Sequence, residues 1–159
     1  MDVSYNPKTQ VSGRALEAAQ ESPLGRRLFF LVTQLEYELQ SRVPLALAEL
    51  ELDVRQYATL AYIAGGHTPT QLELAKVLRL DPSQVVTLVK GLVARGLIIR
   101  QTVPHDRRAR AVVITREGKR FYERATVLVQ RVEEDLTASL SRRDTNALRS
   151  LLERILPLH

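Results

Sequence analysis

Two proline-bearing capping signatures set 13 residues apart constrain this chain more than any other feature. Thr68-Pro69-Thr70-Gln71 reads as a hydroxyl at the N-cap, proline at the first helical position and glutamine at N3, ahead of the apolar Leu72, Ala75 and Leu78. Asp81-Pro82-Ser83-Gln84 repeats the arrangement, and only Arg79-Leu80 remain between the two helices, room for a tight turn. The second helix runs to Gly96, a residue suited to a left-handed C-terminal cap. Two short helices joined this closely make a helix-turn-helix.

Upstream, Leu24, Leu28, Leu31, Val32, Leu35, Leu39 and Val43 recur at three and four, which predicts a long helix from Pro23 that Pro44 disrupts or kinks. Val54 to Ala64 predicts another, with Val54, Tyr57, Ala58 and Ala61 on one face and Gly65-Gly66 as its stop. Residues 1–22 read as a partly ordered arm carrying one or two helical turns between Arg14 and Gln20. Downstream the period changes. Leu97-Ile98-Ile99-Arg100 and Ala111-Val112-Val113-Ile114 are β-branched runs that predict a hairpin whose long basic tip is Gln101 to Arg110. Helical spacing resumes after Thr115 with Phe121, Ala125, Leu128, Val132, Leu136 and Leu140, and Ser141 caps a last helix carrying Leu148, Leu151, Leu152, Ile155 and Leu156. The expected fold is mainly α with a small β-hairpin wing.

Charge is segregated along the chain. The formal net charge is +5 over 159 residues. Residues 53–120 carry 12 Lys and Arg against five acids, a net of +7, and the remainder sums to −2. A helix-turn-helix followed by a basic hairpin suits double-stranded DNA, because phosphate neutralisation supplies most non-specific affinity. The competing reading is a winged module that binds a small molecule or docks a protein without touching DNA; it has no need of +7 in that segment.

On a wheel at about 100° per residue, Val85, Val86, Leu88, Val89, Leu92 and Val93 fall on one side of the helix from Pro82 to Arg95. Ser83, Gln84, Thr87, Lys90, Gly91 and Ala94 fall on the other, as donors, acceptors and one cation suited to base edges and phosphates in a major groove. Capping alone is the alternative role of Gln84, and plain exposure that of Gly91. In the hairpin tip, Asp106 stands two residues before Arg108, so that on a strand-like tip it can brace the guanidinium and aim it at a narrow minor groove. Arg107 and Arg110 suit phosphates. A solvated charge run is the bland alternative for any one of them. Thr68, Thr70 and Gln71 are further candidate phosphate contacts.

These residues together resemble a known family. Leu52-Asp53-Val54-Arg55-Gln56-Tyr57-Ala58-Thr59-Leu60, Gln71 to Val89, Gly96 to Arg100, Asp106-Arg107-Arg108-Ala109 and Ile114-Thr115-Arg116-Glu117-Gly118 resemble the MarR family of bacterial transcriptional regulators. The resemblance implies a homodimer in which the terminal helices of two chains interlock. Two winged lobes then bind a pseudo-palindromic operator, and a small phenolic or anionic effector modulates the binding. It implies that Ser83, Gln84 and Thr87 are recognition-helix contacts, Arg108 the minor-groove arginine and Asp106 its brace. On this basis residues 1–22 form an arm, 23–50 and 121–159 the dimerisation region, and 51–120 the DNA-binding domain. Two departures stand out: Lys90 occupies a position where many members have an acid, and Thr87 and Gly91 stand where many have arginines. An operator sequence cannot be borrowed from relatives.

Other chemistries find little support. There is no cysteine, which excludes disulfides, thiolate metal sites and thiol-based oxidant sensing. The three histidines, His67, His105 and His159, have no metal-ligand spacing, and neither a phosphate-binding loop nor a nucleophile elbow is present. The chain is expected to be no enzyme and to need no cofactor or metal. Arg26, Arg27, Tyr37, Tyr57 and Tyr62 are candidates for lining an effector pocket, with a core or surface role as the alternative for each. No run approaches the roughly 18 apolar residues of a membrane span, and Met1 to Tyr5 lack signal-peptide character. A cytoplasmic address is the expectation.

Overall fold

A computed structural model describes residues 13–103 and 106–156, without the side chains of 14, 15, 103 and 106–109. The chain divides into two compact units, residues 1–40 and 41–159.

The first unit begins with helix α1 (Gly13–Glu21), the expected helical piece of the arm. Ser22 then caps a 3-10 turn (Pro23–Arg26), its hydroxyl accepting from the Leu24 N–H at 3.2 Å. Helix α2 (Leu28–Ala48) therefore starts five residues later than the apolar spacing predicts. It also runs through Pro44. The missing proline N–H removes one backbone bond, but this end of α2 belongs to the second unit, where Val43 and Leu47 are buried in the core.

The second unit is built on α3 (Val54–Ala64), which packs against α4 (Gln71–Leu78), α5 (Pro82–Ala94), α6 (Arg116–Leu136) and strand β2 (Asp106–Ile114). Asp53 and Gln56 form a reciprocal capping box at the start of α3. Its buried residues are Thr59, Leu60 and Ile63; of the face the spacing picks out, Tyr57, Ala58 and Ala61 are half-buried and Val54 is exposed. The core continues through Leu74 and Ala75 of α4, Val85, Leu88, Val89 and Leu92 of α5, Leu97, Ile98 and Val112 of the hairpin, and Ala125 and Val129 of α6.

The cap of α4 is Thr70, not Thr68. Its hydroxyl accepts from the Glu73 N–H and Glu73 reaches back to the Thr70 N–H at 2.7 Å. Thr70 bridges Ala111, and the Pro69 carbonyl accepts from the Val112 N–H at 2.8 Å, so these residues lie as a short extended piece beside β2. A proline can serve there because only its carbonyl is needed. Arg79 closes α4 in a left-handed conformation (φ 51°), and the Leu80 N–H returns to the Ala75 carbonyl. That is the tight turn expected before α5.

Strand β1 (Ile98–Val103) pairs antiparallel with β2, from Ile98 opposite Ile114 to Thr102 opposite Arg110. The hairpin is longer than its β-branched runs: the strands extend into the expected basic tip, Gln101 to Val103 in β1 and Asp106 to Arg110 in β2, with an irregularity between Thr102 and Val103. Thr115 caps α6, which ends at Leu136, so Leu140 lies beyond the helix whose spacing seemed to include it. Ser141 caps α7 (Arg142–Ile155), as the sequence indicates. No helix among the described residues is long and apolar enough to cross a membrane.

Candidate nucleic-acid interface

Helix α5 is set in the core by four side chains, Val85, Leu88, Val89 and Leu92, each no more than 8% exposed. These fall within an arc of about 100° on a wheel at about 100° per residue, and the remaining surface points away from the core. Ser83, Gln84, Thr87 and Lys90 all lie on the exposed side, as the wheel predicts. Two valines do not follow it. Val86 and Val93 are 48% and 37% exposed, because they lie beyond the edge of the buried arc.

The individual side chains differ in what they can offer. Gln84 closes the N-terminus, its Oε1 accepting from the Asp81 N–H at 3.2 Å, so capping occupies its carbonyl and leaves its amide hydrogens outward. The Thr87 hydroxyl donates to the Ser83 carbonyl at 3.3 Å and retains its acceptor capacity. Lys90 is exposed. At the start of α4, the Thr70 hydroxyl already donates to Glu73 at 2.9 Å, and both Thr70 hydrogen bonds hold the Glu73 carboxyl below its ordinary value. An anion thus already sits at this helix terminus. Thr68 is exposed and Gln71 half-buried.

In the wing, the backbone of Asp106, Arg107, Arg108 and Arg110 lies in β2, with Asp106 opposite Val103 and Arg110 opposite Thr102. Arg110 is exposed; the side chains of Asp106, Arg107 and Arg108, and with them the expected brace, lie outside the described residues, as do His105 and His159. The cations Arg55, Lys76, Arg79, Arg100, Arg116, Lys119 and Arg120 are exposed.

Arg95 departs from the charge inventory. Its guanidinium donates to the carbonyls of Glu51 at 2.7 Å and Leu50 at 3.0 Å, and it lies over the Phe121 ring at 4.8 Å. It is a clamp joining the end of α5 to the turn before α3 and to α6. Sequence counting cannot find it, because its partners are backbone carbonyls more than 40 positions away.

The effector candidates are distributed. Arg26 and Arg27, with Pro23, Leu24 and Phe29, line an open cleft of about 490 Å³ in the first unit. Tyr37 lies further along α2 and is half-buried. In the second unit, Tyr62 stacks on His67 at 4.6 Å and Tyr57 on Tyr122 at 5.9 Å. Burial pushes the Tyr57 hydroxyl above its ordinary value, the nearby Thr126 side chain opposing the effect and Tyr122 and Glu133 adding to it. No group of three or more metal-ligating side chains occurs among the described residues.

A helix-turn-helix that buries one face of its second helix and turns a polar, basic face outward, with an antiparallel hairpin wing behind it, defines a winged-helix DNA-binding protein. A family model described as MarR family matches residues 50–109. The multiple antibiotic resistance protein MarR of Escherichia coli (strain K12) is 31% identical over 136 residues, 85% of this chain and 92% of that protein. A MarR-family transcriptional regulator from Rhodococcus sp. RHA1 superimposes with a TM-score of 0.76 at 28% identity, over 86% of this chain and 98% of that one. The repressor CouR bound to a 23-mer DNA duplex superimposes with a TM-score of 0.73 at 28% identity, over 83% and 94% of the two chains. CouR from Rhodococcus jostii RHA1 bound to p-coumaroyl-CoA gives 0.72 at 27% identity, over 85% and 96%. The chain belongs to the MarR family and is a transcriptional regulator, not an enzyme.

Proposed function

We propose that the chain is a repressor that binds a pseudo-palindromic operator as a homodimer and is released by a small anionic or aromatic effector. The observation that carries the reading is the outward face of α5, where Ser83, Gln84, Thr87 and Lys90 stand exposed above a fully apolar inner face. A helix so mounted can enter a major groove with its N-terminal half against the base edges. The wing then follows the backbone, with Arg108 in the minor groove, Asp106 aiming it, and Arg107 and Arg110 on phosphates. Thr68 and Gln71 retain free polar groups for a phosphate, whereas Thr70 is engaged by its cap.

The homodimer reading draws on apolar side chains left uncovered at both ends of the chain. Leu28 and Phe29 are 67% and 66% exposed, and Ile155 and Leu156 61% and 62%. Such surface is costly to leave in water. For the effector, Arg26 and Arg27 beside Phe29 offer charge and an aromatic surface in one cleft, and Tyr37 and Tyr62 are further candidates for a phenolic group. That CouR has been captured with an acyl-CoA supports an anionic aromatic class.

Footprinting on the chain's own promoter region tests the reading. Two protected half-sites about one helical turn apart in an inverted repeat are expected, and Arg108→Ala and Thr87→Ala each weaken binding. A single unpaired half-site contradicts the dimer, and undiminished binding by both variants contradicts the interface.

A further inference from the structure

Helix α5 carries an apolar side chain on the face assigned to DNA. Val86 is 48% exposed, three residues after Ser83 and four before Lys90, so it shares their stripe. It lies about 60° beyond the edge of the buried arc on the same wheel, and the core is already closed by Val85, Leu88, Val89 and Leu92 without it. Thr87, which neighbours Ser83 and Lys90 on the far side of the stripe from Val86, has given its hydroxyl hydrogen to the Ser83 carbonyl. One flank of the reading face therefore presents a branched, methyl-bearing side chain, with polar groups at the N-terminal end and a cation one turn further on.

Only one feature of a base edge in the major groove is apolar, the C5-methyl of thymine. A valine over guanine or cytosine would cover acceptors or an amine without replacing their hydrogen bonds, which disfavours those bases. The position of Val86 within α5 matters too: it is the fifth residue of the helix, in the half that reaches base edges, whereas Val93, the other exposed valine, lies near the C-terminal end. We propose that Val86 is a specificity-determining residue that selects thymine in each half-site by contact with its C5-methyl group. The inference rests on the proposed docking of α5 in the major groove.

The test replaces thymine by deoxyuridine, which removes that methyl and leaves every hydrogen-bonding group of the base pair in place. Duplexes bound by the full chain are first selected from a random 24-mer pool, and each thymine of the selected half-site is then replaced singly. At one position wild-type affinity is expected to fall about threefold to fivefold, the range set by burying one methyl group. Val86→Ala loses a similar factor on the thymine duplex and no longer discriminates thymine from deoxyuridine there. Because the side chain is exposed and alanine favours helix, this variant keeps its thermal midpoint. Equal binding of every deoxyuridine duplex by the wild type, or discrimination retained in Val86→Ala, overturns the role of Val86 while leaving the DNA reading intact. Failure to enrich any duplex overturns both.

Discussion

Arg95 and Val86 exchange the roles that residue type would assign them. Arg95, an arginine in a basic segment, is turned inward to two backbone carbonyls and an aromatic ring, and Val86, a valine in an amphipathic helix, faces out. Arg95→Ala is expected to lower unfolding stability by about 1–3 kcal/mol, since charge-assisted bonds and a ring contact are lost together. The salt dependence of DNA binding should be unaltered, and a shallower slope would return Arg95 to the phosphate contacts. Glu73 gives a pH signature. Its folded carboxyl lies below the ordinary 4.5 because Thr70 hydrogen-bonds the charged form, so its contribution is present above that value and is lost as pH falls through the lowered one. The stability difference between wild type and Glu73→Gln should therefore be present at about pH 6 and close toward about pH 3; a difference constant across that range in chemical denaturation contradicts the cap. Neither pairing was legible beforehand. The capping signal fits Thr68 and Thr70 equally in the sequence, since both precede suitable partners, and pairing of Pro69 with β2 puts the cap at Thr70.

Elements were more legible than residues. The second capping signature, at Asp81-Pro82, opens α5 where the sequence puts it, and Thr115 and Ser141 begin α6 and α7. Those signals are local, involving donors and acceptors three residues apart. What the sequence does not show is set by distant contacts: Pro44 remains helical beside the buried Val43 and Leu47, and the strands extend past Arg100 because β1 and β2 pair there. Gly118 shows the same dependence. It follows the Thr115 cap, where the Thr115 hydroxyl donates to the Gly96 carbonyl at 2.8 Å and accepts from the Gly118 N–H at 2.9 Å. A Cβ at Gly118 would collide with the Leu97 carbonyl and crowd Ile114. Gly118→Ala should destabilise by about 1–3 kcal/mol through overpacking, despite the better helix propensity of alanine. An unchanged thermal midpoint would mean that α6 does not approach the hairpin this closely.

For the molecule as a whole, the charge count separates a basic winged segment from acidic flanks, and most apolar residues of α7 stand exposed. Leu151 is 51% exposed and α7 contains no buried residue. If a second copy covers α7, Leu151→Asp with Ile155→Asp yields a folded monomer by sedimentation, with operator affinity reduced far more than by any single DNA contact. A dimer that survives this change places the interface elsewhere. Segregation of charge was legible because it needs no geometry. The effector region was not, because its candidates come from distant parts of the chain, with Arg26 and Arg27 on a cleft of the first unit and Tyr57 and Tyr62 in the second.

The central claim, that α5 and the basic segment hold DNA, is tested most directly by titrating wild type and Lys90→Ala on a selected duplex and on a scrambled one between about 50 and 200 mM salt. Log affinity of the wild type should fall linearly and steeply with log salt on both duplexes, tighter on the selected one. Lys90→Ala should lower the slope by about one. A flat salt profile, or equal affinity for the two duplexes, would contradict it.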